Sequence, residues 1–303
     1  MRYKIARKSL AIPFTLFLVL FVLIPILFIV FYAFTDSEGY FSLEAIASFF
    51  TSTTKLNVLL ISVLIGIFNT ILCLLIGFPL AYLLSNPKFN RNYVLVMLFV
   101  MPMWINFVLR TGALRDLLSI VLQALGTTTG QHPLFCTMVG MVINYLPFTI
   151  LPLYSTLLKL DKSQIEAAKD LGCNPIQTFT KSIIPQAMPG LVSASMMVFM
   201  PTISSYVISD TLSEGKIMLF GNSIYLSFSS SDWNNGSFMS LIMLIIIFIV
   251  MFATKKFQGN GEEKRGASWQ RKYSRTATFT SSCSSSICRF FISLSSPSPT
   301  LSS

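Results

Sequence analysis

Long runs of residues without charge constrain this chain more than any other feature of its sequence. An α-helix rises 1.5 Å per residue, so about 20 apolar residues cross the hydrocarbon core of a bilayer. Five uncharged runs of about that length or more occupy residues 11–34, 56–85, 92–109, 134–158 and 182–209. A sixth apolar run covers about 237–254. The sequence therefore predicts an all-α, polytopic transmembrane helical bundle with six spans.

Composition supports the bilayer as the solvent for most of the chain. Hydrophobic residues make up 53% of the 303 residues and charged residues only 11%. A soluble domain carries about 25% charge, so this chain has too few charges to cover its apolar surface in water. Within a transmembrane domain of residues 11–257, we place the spans at about 11–34, 56–85, 92–110, 134–158, 186–209 and 237–254.

The basic residues indicate the orientation, because Lys and Arg near span ends stay in the cytoplasm. With residues 1–10 inside, all but four of the 22 Lys and Arg fall on the cytoplasmic side. Those on the outer side are Lys55, Arg110, Arg115 and Lys216. We therefore predict a multi-pass protein of the bacterial cytoplasmic membrane with both termini in the cytoplasm. The net charge of +10 follows from this topology, and a nucleic-acid partner has no support.

Two features could interrupt the spans. Residues 117–125 are apolar but too short to cross, and we expect a surface-lying or re-entrant piece there. Proline removes a backbone donor and clashes with the preceding turn. The interrupting residues inside the spans are Pro25, Gly77, Pro79, Pro102, Pro147, Pro152 and Pro201. They indicate either ordinary kinks or a pathway that changes shape, and the residues alone leave both open.

Catalytic and metal chemistry find no support. His132 has no neighbouring Cys, Asp or Glu cluster, and the five cysteines lack the paired spacing of a metal site. No G-x-x-x-x-G-K-[ST] phosphate loop is present, so the chain cannot bind ATP in that way. We expect that it is not an enzyme.

The predicted cytoplasmic loop, residues 159–187, has a strong local pattern. Ser163 followed by Glu166 matches a capping box and predicts a short helix over 164–171. Gly172 follows where a left-handed residue ends a helix. The helix has an apolar stripe flanked by charges, formed by Ile165, Ala168 and Leu171. A small amphipathic helix of this kind suits a hydrophobic groove in a partner.

A second short helix is predicted directly after this turn. Asn174 can cap it, and Pro175 stands at its first position, where the missing N–H costs nothing. We expect this helix to end before Pro185.

The loop resembles the EAA loop of binding-protein-dependent ABC importer permeases. The resemblance implies a type I permease of MetI-like fold, whose loop is a coupling helix that docks on a cytoplasmic ATPase. Carried over by position, the coupling residues are Glu166, Ala167, Ala168, Asp170, Gly172, Ile184 and Pro185. For Glu166, a local helix cap remains an equally good interpretation.

Further segments resemble the spermidine/putrescine branch of that family: 102–106 with Arg110, 146–154, 206–210 and 219–224. The resemblance covers about residues 10–257. It implies a polyamine importer in which a homologous second permease subunit, two ATPase subunits and an extracytoplasmic polyamine-binding protein are partners, with the lipid bilayer around the spans. ATP and Mg would be bound by the ATPase, and no cofactor is expected in this chain.

A polyamine is a flexible polycation, which favours carboxylates and aromatic faces. Asp210, at the end of the fifth predicted span, is the carboxylate we select, since ionisable groups near the membrane interior are often functional. The candidate pathway residues are Asp210, Tyr206, Trp104, Tyr145, Tyr225, Asp232 and Trp233. The alternatives are a cap at the water boundary for Asp210, and interface anchoring or packing for the aromatic residues.

Three other classes of function stay open: a type I importer of another small solute such as an anion or a metal chelate, an ATP-independent secondary transporter or channel, and a membrane scaffold.

Residues 258–303 are Ser-rich and depart from the family pattern. Such composition predicts disorder, and we expect this tail to be a non-family extension or a reading-frame accident, dispensable for transport. A basic tail that touches anionic lipid is the weaker alternative.

Overall fold

The computed structural model describes residues 7–36, 38–86 and 94–254. These residues form α1 (7–33, with a π-helical turn at Val19–Leu23), α2 (Glu44–Thr51), α3 (Thr53–Ser85), α4 (Val94–Val100, continued by the 3-10 turn Met101–Trp104), α5 (Phe107–Ala124), α6 (Pro133–Leu157), α7 (Lys162–Asp170), α8 (Pro175–Ser204), α9 (Val207–Ser213), α10 (Phe220–Ser229) and α11 (Trp233–Thr254). In the described ranges, β pairing is confined to one isolated antiparallel bridge between Thr35 and Phe41. The predicted tail 258–303 lies outside the described residues, as do residues 1–6.

Within the described ranges, five helices are long and apolar enough to cross a bilayer: α1, α3, α6, α8 and α11. The bent pair α4–α5 supplies the sixth span if it is counted as one. The predicted all-α transmembrane bundle is confirmed, and the predicted six spans are reached when the bent pair is counted as one span.

The third segment differs from the single span predicted over 92–110. The axes of α4 and α5 are bent by 100° at a short break. Pro102 lacks a backbone donor for the preceding turn, and Asn106 starts a new helix because its Oδ1 accepts the Val108 N–H at 2.9 Å. The piece predicted at 117–125 to lie on the surface or re-enter forms the second half of α5.

The fifth span, predicted over 186–209, begins earlier in the structure. α8 starts directly after Asn174 and continues across Pro185, where we expected a break. A π-helical turn explains the difference, since the Ile184 N–H donates to the carbonyl oxygen of Phe179, five residues back. This wider turn lets the helix pass the proline without a kink that would end it.

The centre of the bundle is made by α3, α6 and α8, which pack against one another. We call the end at which α7 lies the loop end, and the opposite end the far end. An apolar cluster fills the loop end and includes Phe78, Leu84, Ile150, Leu153 and Ile183. A second cluster lies toward the far end and includes Ile65, Met141, Val198, Ile208 and Leu212.

Buried polar side chains pair between helices. The Asn69 amide donates to Thr202 Oγ1 at 2.9 Å, which joins α3 to α8. The Ser62 hydroxyl oxygen accepts the Phe220 N–H at 2.7 Å, which joins α3 to α10. Because an unpaired polar group inside a membrane is costly, these bonds fix how the helices are aligned.

Gly221 in α10 lies against the backbone at the end of α8. A Cβ there would meet the carbonyl oxygen of Ser204, and a backbone atom cannot move aside as a side-chain tip can. We expect Gly221→Ala to destabilise the protein by roughly 1–3 kcal/mol, measured as a lower unfolding temperature in detergent. The matched control is Gly112→Ala in α5, where a Cβ meets no atom within 4 Å. Equal unfolding temperatures for the two variants would contradict the close packing of Gly221 against Ser204.

Candidate functional site

The connection between α6 and α8 forms a compact loop over residues 158–174, shorter than the predicted 159–187. Asp161 caps α7, because its Oδ1 accepts the Ser163 N–H at 3.1 Å and the Ser163 hydroxyl at 2.6 Å. The predicted capping box of Ser163 and Glu166 is therefore wrong. The Glu166 side chain is exposed and available to a partner.

The second half of the loop follows the prediction. Gly172 has the left-handed φ of +79°, and the Cys173 N–H donates to the Ala168 carbonyl at 3.1 Å. Asn174 and Gln177 form a capping box, in which Asn174 Oδ1 accepts the Gln177 N–H at 2.9 Å and Gln177 Oε1 accepts the Asn174 N–H at 3.2 Å. The stop at Gly172 and the cap at Asn174 are confirmed.

Three contacts anchor the loop to the bundle. Ile165 of α7 packs against the loop-end cluster. The Phe179 ring meets Phe78 of α3 edge to face, with centroids 5.3 Å apart. The Asp161 N–H donates to Gln186 Oε1 of α8 at 3.1 Å. The loop is therefore held to α8, and the first turns of α8 to α3, before any partner binds.

The other side of the loop, together with the first turn of α8, is uncovered. Leu171 is 85% exposed and Ile176 is 74% exposed. The predicted apolar stripe is thus divided, since Ile165 faces the bundle and Leu171 faces away from it. Ala168 and Ile184 are half-buried. The remaining predicted coupling residues are exposed: Glu166, Ala167, Asp170, Gly172 and Pro185. This surface presents apolar side chains beside carboxylates.

A second group of predicted residues lies at the bend between α4 and α5. Trp104 is 83% exposed there. Arg110, in the first turn of α5, donates from Nη1 to the Pro102 carbonyl at 2.8 Å and from Nε to Asn144 Oδ1 at 2.7 Å. The bend is thus bonded to α6.

The far end brings three candidate pathway residues close together. The rings of Tyr206 and Tyr225 stack with centroids 4.7 Å apart and planes 6° apart. Asp210 follows Tyr206 by one helical turn in α9 and is exposed. Among the described residues, its carboxylate has no hydrogen-bond or ion-pair partner. A stacked aromatic pair beside a free carboxylate can hold an organic cation.

The other candidates lie in different surroundings. Asp232 caps α11, accepting from the Asn235 N–H at 3.3 Å and from its Nδ2 at 2.9 Å. Trp233 lies 6.4 Å from Tyr32 of α1, between ring centroids. Tyr145 is buried, and its hydroxyl donates to the Pro201 carbonyl of α8 at 3.2 Å. Asp232 and Tyr145 therefore have structural partners, and the far-end site centres on Asp210.

Sequence reasoning assigned no role to Asn106 or Asn144. Asn106 could have been found as a capping residue before an apolar run. Asn144 is an amide within an uncharged span, and polar groups there seek internal partners. Nothing in the sequence shows that its partner is Arg110.

The fold is one that a chain of a solved ABC transporter shares. A bacterial ABC transporter that imports the acidic polysaccharide alginate has a chain of the same fold, with a TM-score of 0.60 at 14% identity, covering 82% of this chain and 94% of that one. The chain belongs to the family described as the binding-protein-dependent transport system inner membrane component, whose model matches residues 2–261. The predicted family and multi-pass inner-membrane class are confirmed.

Relatives within this family match most of the chain. The spermidine/putrescine transport system permease protein PotB of Haemophilus influenzae is 32% identical over 274 residues, covering 83% of this chain and 95% of that protein. PotB of Escherichia coli K12 is 31% identical over 250 residues, covering 77% and 91%. The PotB homolog of Mycoplasma genitalium is 27% identical over 269 residues, covering 81% and 92%. The chain is homologous to these permease proteins.

Proposed function

We propose that this chain is the permease subunit of an ATP-driven importer of polyamines such as spermidine and putrescine. The observation that carries the proposal is the 31–32% identity to PotB proteins across nearly their whole length. The anchored loop with Leu171 and Ile176 exposed supports an ATPase as the partner, because exposed apolar side chains beside a short helix suit a hydrophobic groove.

In this proposal the loop end faces the cytoplasm, as do both termini. The chain works with a homologous second permease subunit, two ATPase subunits that bind ATP and Mg²⁺, and an extracytoplasmic polyamine-binding protein. Hydrolysis takes place in the ATPase, so this chain is not itself an enzyme. Closure of the ATPase pair moves the coupling loops, and the permease pair alternates between outward-open and inward-open states.

The far-end site receives the substrate. The carboxylate of Asp210 pairs with one ammonium group, and the stacked rings of Tyr206 and Tyr225 attract a second ammonium or pack on the methylene chain. A molecule with separated charges can make both contacts at once, whereas a monovalent cation makes one.

Reconstitution of the permease pair with the ATPase and binding protein tests the proposal. We expect spermidine to stimulate ATP hydrolysis and to be taken up, and a hydrolysis-dead ATPase to stop both. Uptake that persists without hydrolysis would contradict the ATP-driven mechanism. Stimulation by an anion or a metal chelate, with none by polyamines, would instead favour a type I importer of another solute.

A further inference from the structure

We propose that Arg110 and Asn144 form a clamp that fixes the bend between α4 and α5 and thereby positions Trp104. Arg110 is then a positioning residue. The clamp sets the local geometry of the bend and does not depend on which substrate the permease carries.

The clamp joins three segments through one guanidinium. Arg110 reaches back across the bend to the Pro102 carbonyl at 2.8 Å from Nη1. Its Nε donates to Asn144 Oδ1 at 2.7 Å, and Nη2 donates to the Asn144 carbonyl at 3.5 Å. A guanidinium has five donors in a rigid planar fork, so it can bond two segments simultaneously. A lysine ammonium at the end of a flexible chain lacks that geometry.

The acceptor on α6 is itself held in place. Asn144 is fully buried, and its Nδ2 donates to the Gly140 carbonyl one turn earlier at 2.9 Å. This bond turns Oδ1 toward Arg110. Loss of the arginine would leave a buried acceptor unpaired, which is unfavourable inside the bundle.

The partners of Arg110 are neutral. Among the residues that the structure describes, no carboxylate forms an ion pair with it, and its Cζ lies 5.9 Å from the Phe107 ring centroid. The interactions of this guanidinium in the described residues are therefore its bonds to Pro102 and Asn144 and its contact with the Phe107 ring.

Trp104 lies within the turn that the clamp holds. Pro102 is bonded to Arg110 on one side, and Asn106 caps α5 on the other through the Val108 N–H. Between these fixed points the indole is 83% exposed. The clamp thus restricts the backbone that carries Trp104 without covering its ring.

The emission of Trp104 provides a direct test. In the background Trp233→Phe and Trp269→Phe, Trp104 is the remaining tryptophan of the 303-residue chain. We expect Arg110→Gln, Arg110→Lys and Asn144→Ala each to lower the fluorescence anisotropy of Trp104 in nanodiscs toward that of an unrestrained indole. The double variant Arg110→Gln with Asn144→Ala should show an anisotropy no lower than that of either single variant. Arg115→Gln, an exposed arginine of the same helix, is the matched control and should not change it.

Several outcomes overturn the clamp. Unchanged anisotropy in Arg110→Gln shows that the residue does not hold the bend, even if transport falls. If Arg110→Lys keeps the anisotropy of the chain with Arg110 while Arg110→Gln lowers it, the positive charge alone holds the bend and the fork of the guanidinium does not. If Asn144→Ala does not fold, the comparison of Arg110→Lys with Arg115→Lys decides the matter. Because the readout is independent of substrate, failure of the polyamine proposal would leave this result standing.

Discussion

Replacement of Leu171 by aspartate should leave the permease folded but remove most of its binding to the ATPase subunit. Leu171 is 85% exposed, so its side chain contributes little to the bundle. In the docked complex the same side chain would be buried, and a carboxylate there would lose its hydration without a partner. We expect binding to weaken by about 2–4 kcal/mol, the range of an interface hot spot. Titration of the purified ATPase onto the permease in nanodiscs measures this.

The matched control is Leu125→Asp. Leu125 is 72% exposed and ends α5, which packs on α9 toward the far end. The same substitution at similar exposure should leave ATPase binding unchanged. Equal binding by both variants and the unmodified chain would show that the uncovered face of the loop does not dock on the ATPase.

The second large effect is expected from Asp210→Asn. The Asp210 carboxylate has no partner among the described residues, so the isosteric amide should leave stability unchanged while it removes one charge-assisted bond to the substrate. Such a bond contributes about 1.5–3 kcal/mol, which corresponds to a rise of roughly 10–100-fold in the KM for spermidine uptake. Initial rates in proteoliposomes, with the basal ATPase rate recorded in parallel, give this value.

Asp232→Asn makes the same change on a carboxylate that caps α11. Because asparagine caps a helix as well as aspartate does, the substitution should leave both the unfolding temperature and the KM nearly unchanged. If both substitutions raise the KM equally, the far end attracts polyamines through its general negative potential, and Asp210 has no special contact.

Features that depend on neighbouring residues could be predicted from the sequence. The left-handed Gly172 and the Asn174 cap with Pro175 after it were predicted correctly, because short-range backbone rules determine them. The start of α7 was predicted wrongly, although it too depends only on neighbouring residues. Ser163 and Glu166 match a capping box. However, Asp161 lies two residues before Ser163, and its carboxylate accepts the hydrogen bond of the Ser163 hydroxyl.

Features that depend on packing could not be predicted. Ile165 and Leu171 share an apolar pattern, yet only the packing of α7 against the bundle decides which one is covered. The stack of Tyr206 on Tyr225 joins two helices through side chains that have no sequence signal in common. The 100° bend was hidden because residues on both sides of it are uncharged, so the run looked like one span.

The continuity of α8 past Pro185 has a mechanical consequence. Its 30 residues make a rod about 45 Å long at 1.5 Å per residue. One end of the rod begins at the capped loop, and the other ends two residues before Tyr206. Its middle packs closely against α6, where a Cβ on Gly190 would meet the side chain of Thr156. A tilt of about 10° about the midpoint displaces each tip by about 4 Å in opposite directions. If the proposed ATPase displaces the loop, we expect the end of α8 next to Tyr206 to move in the opposite direction.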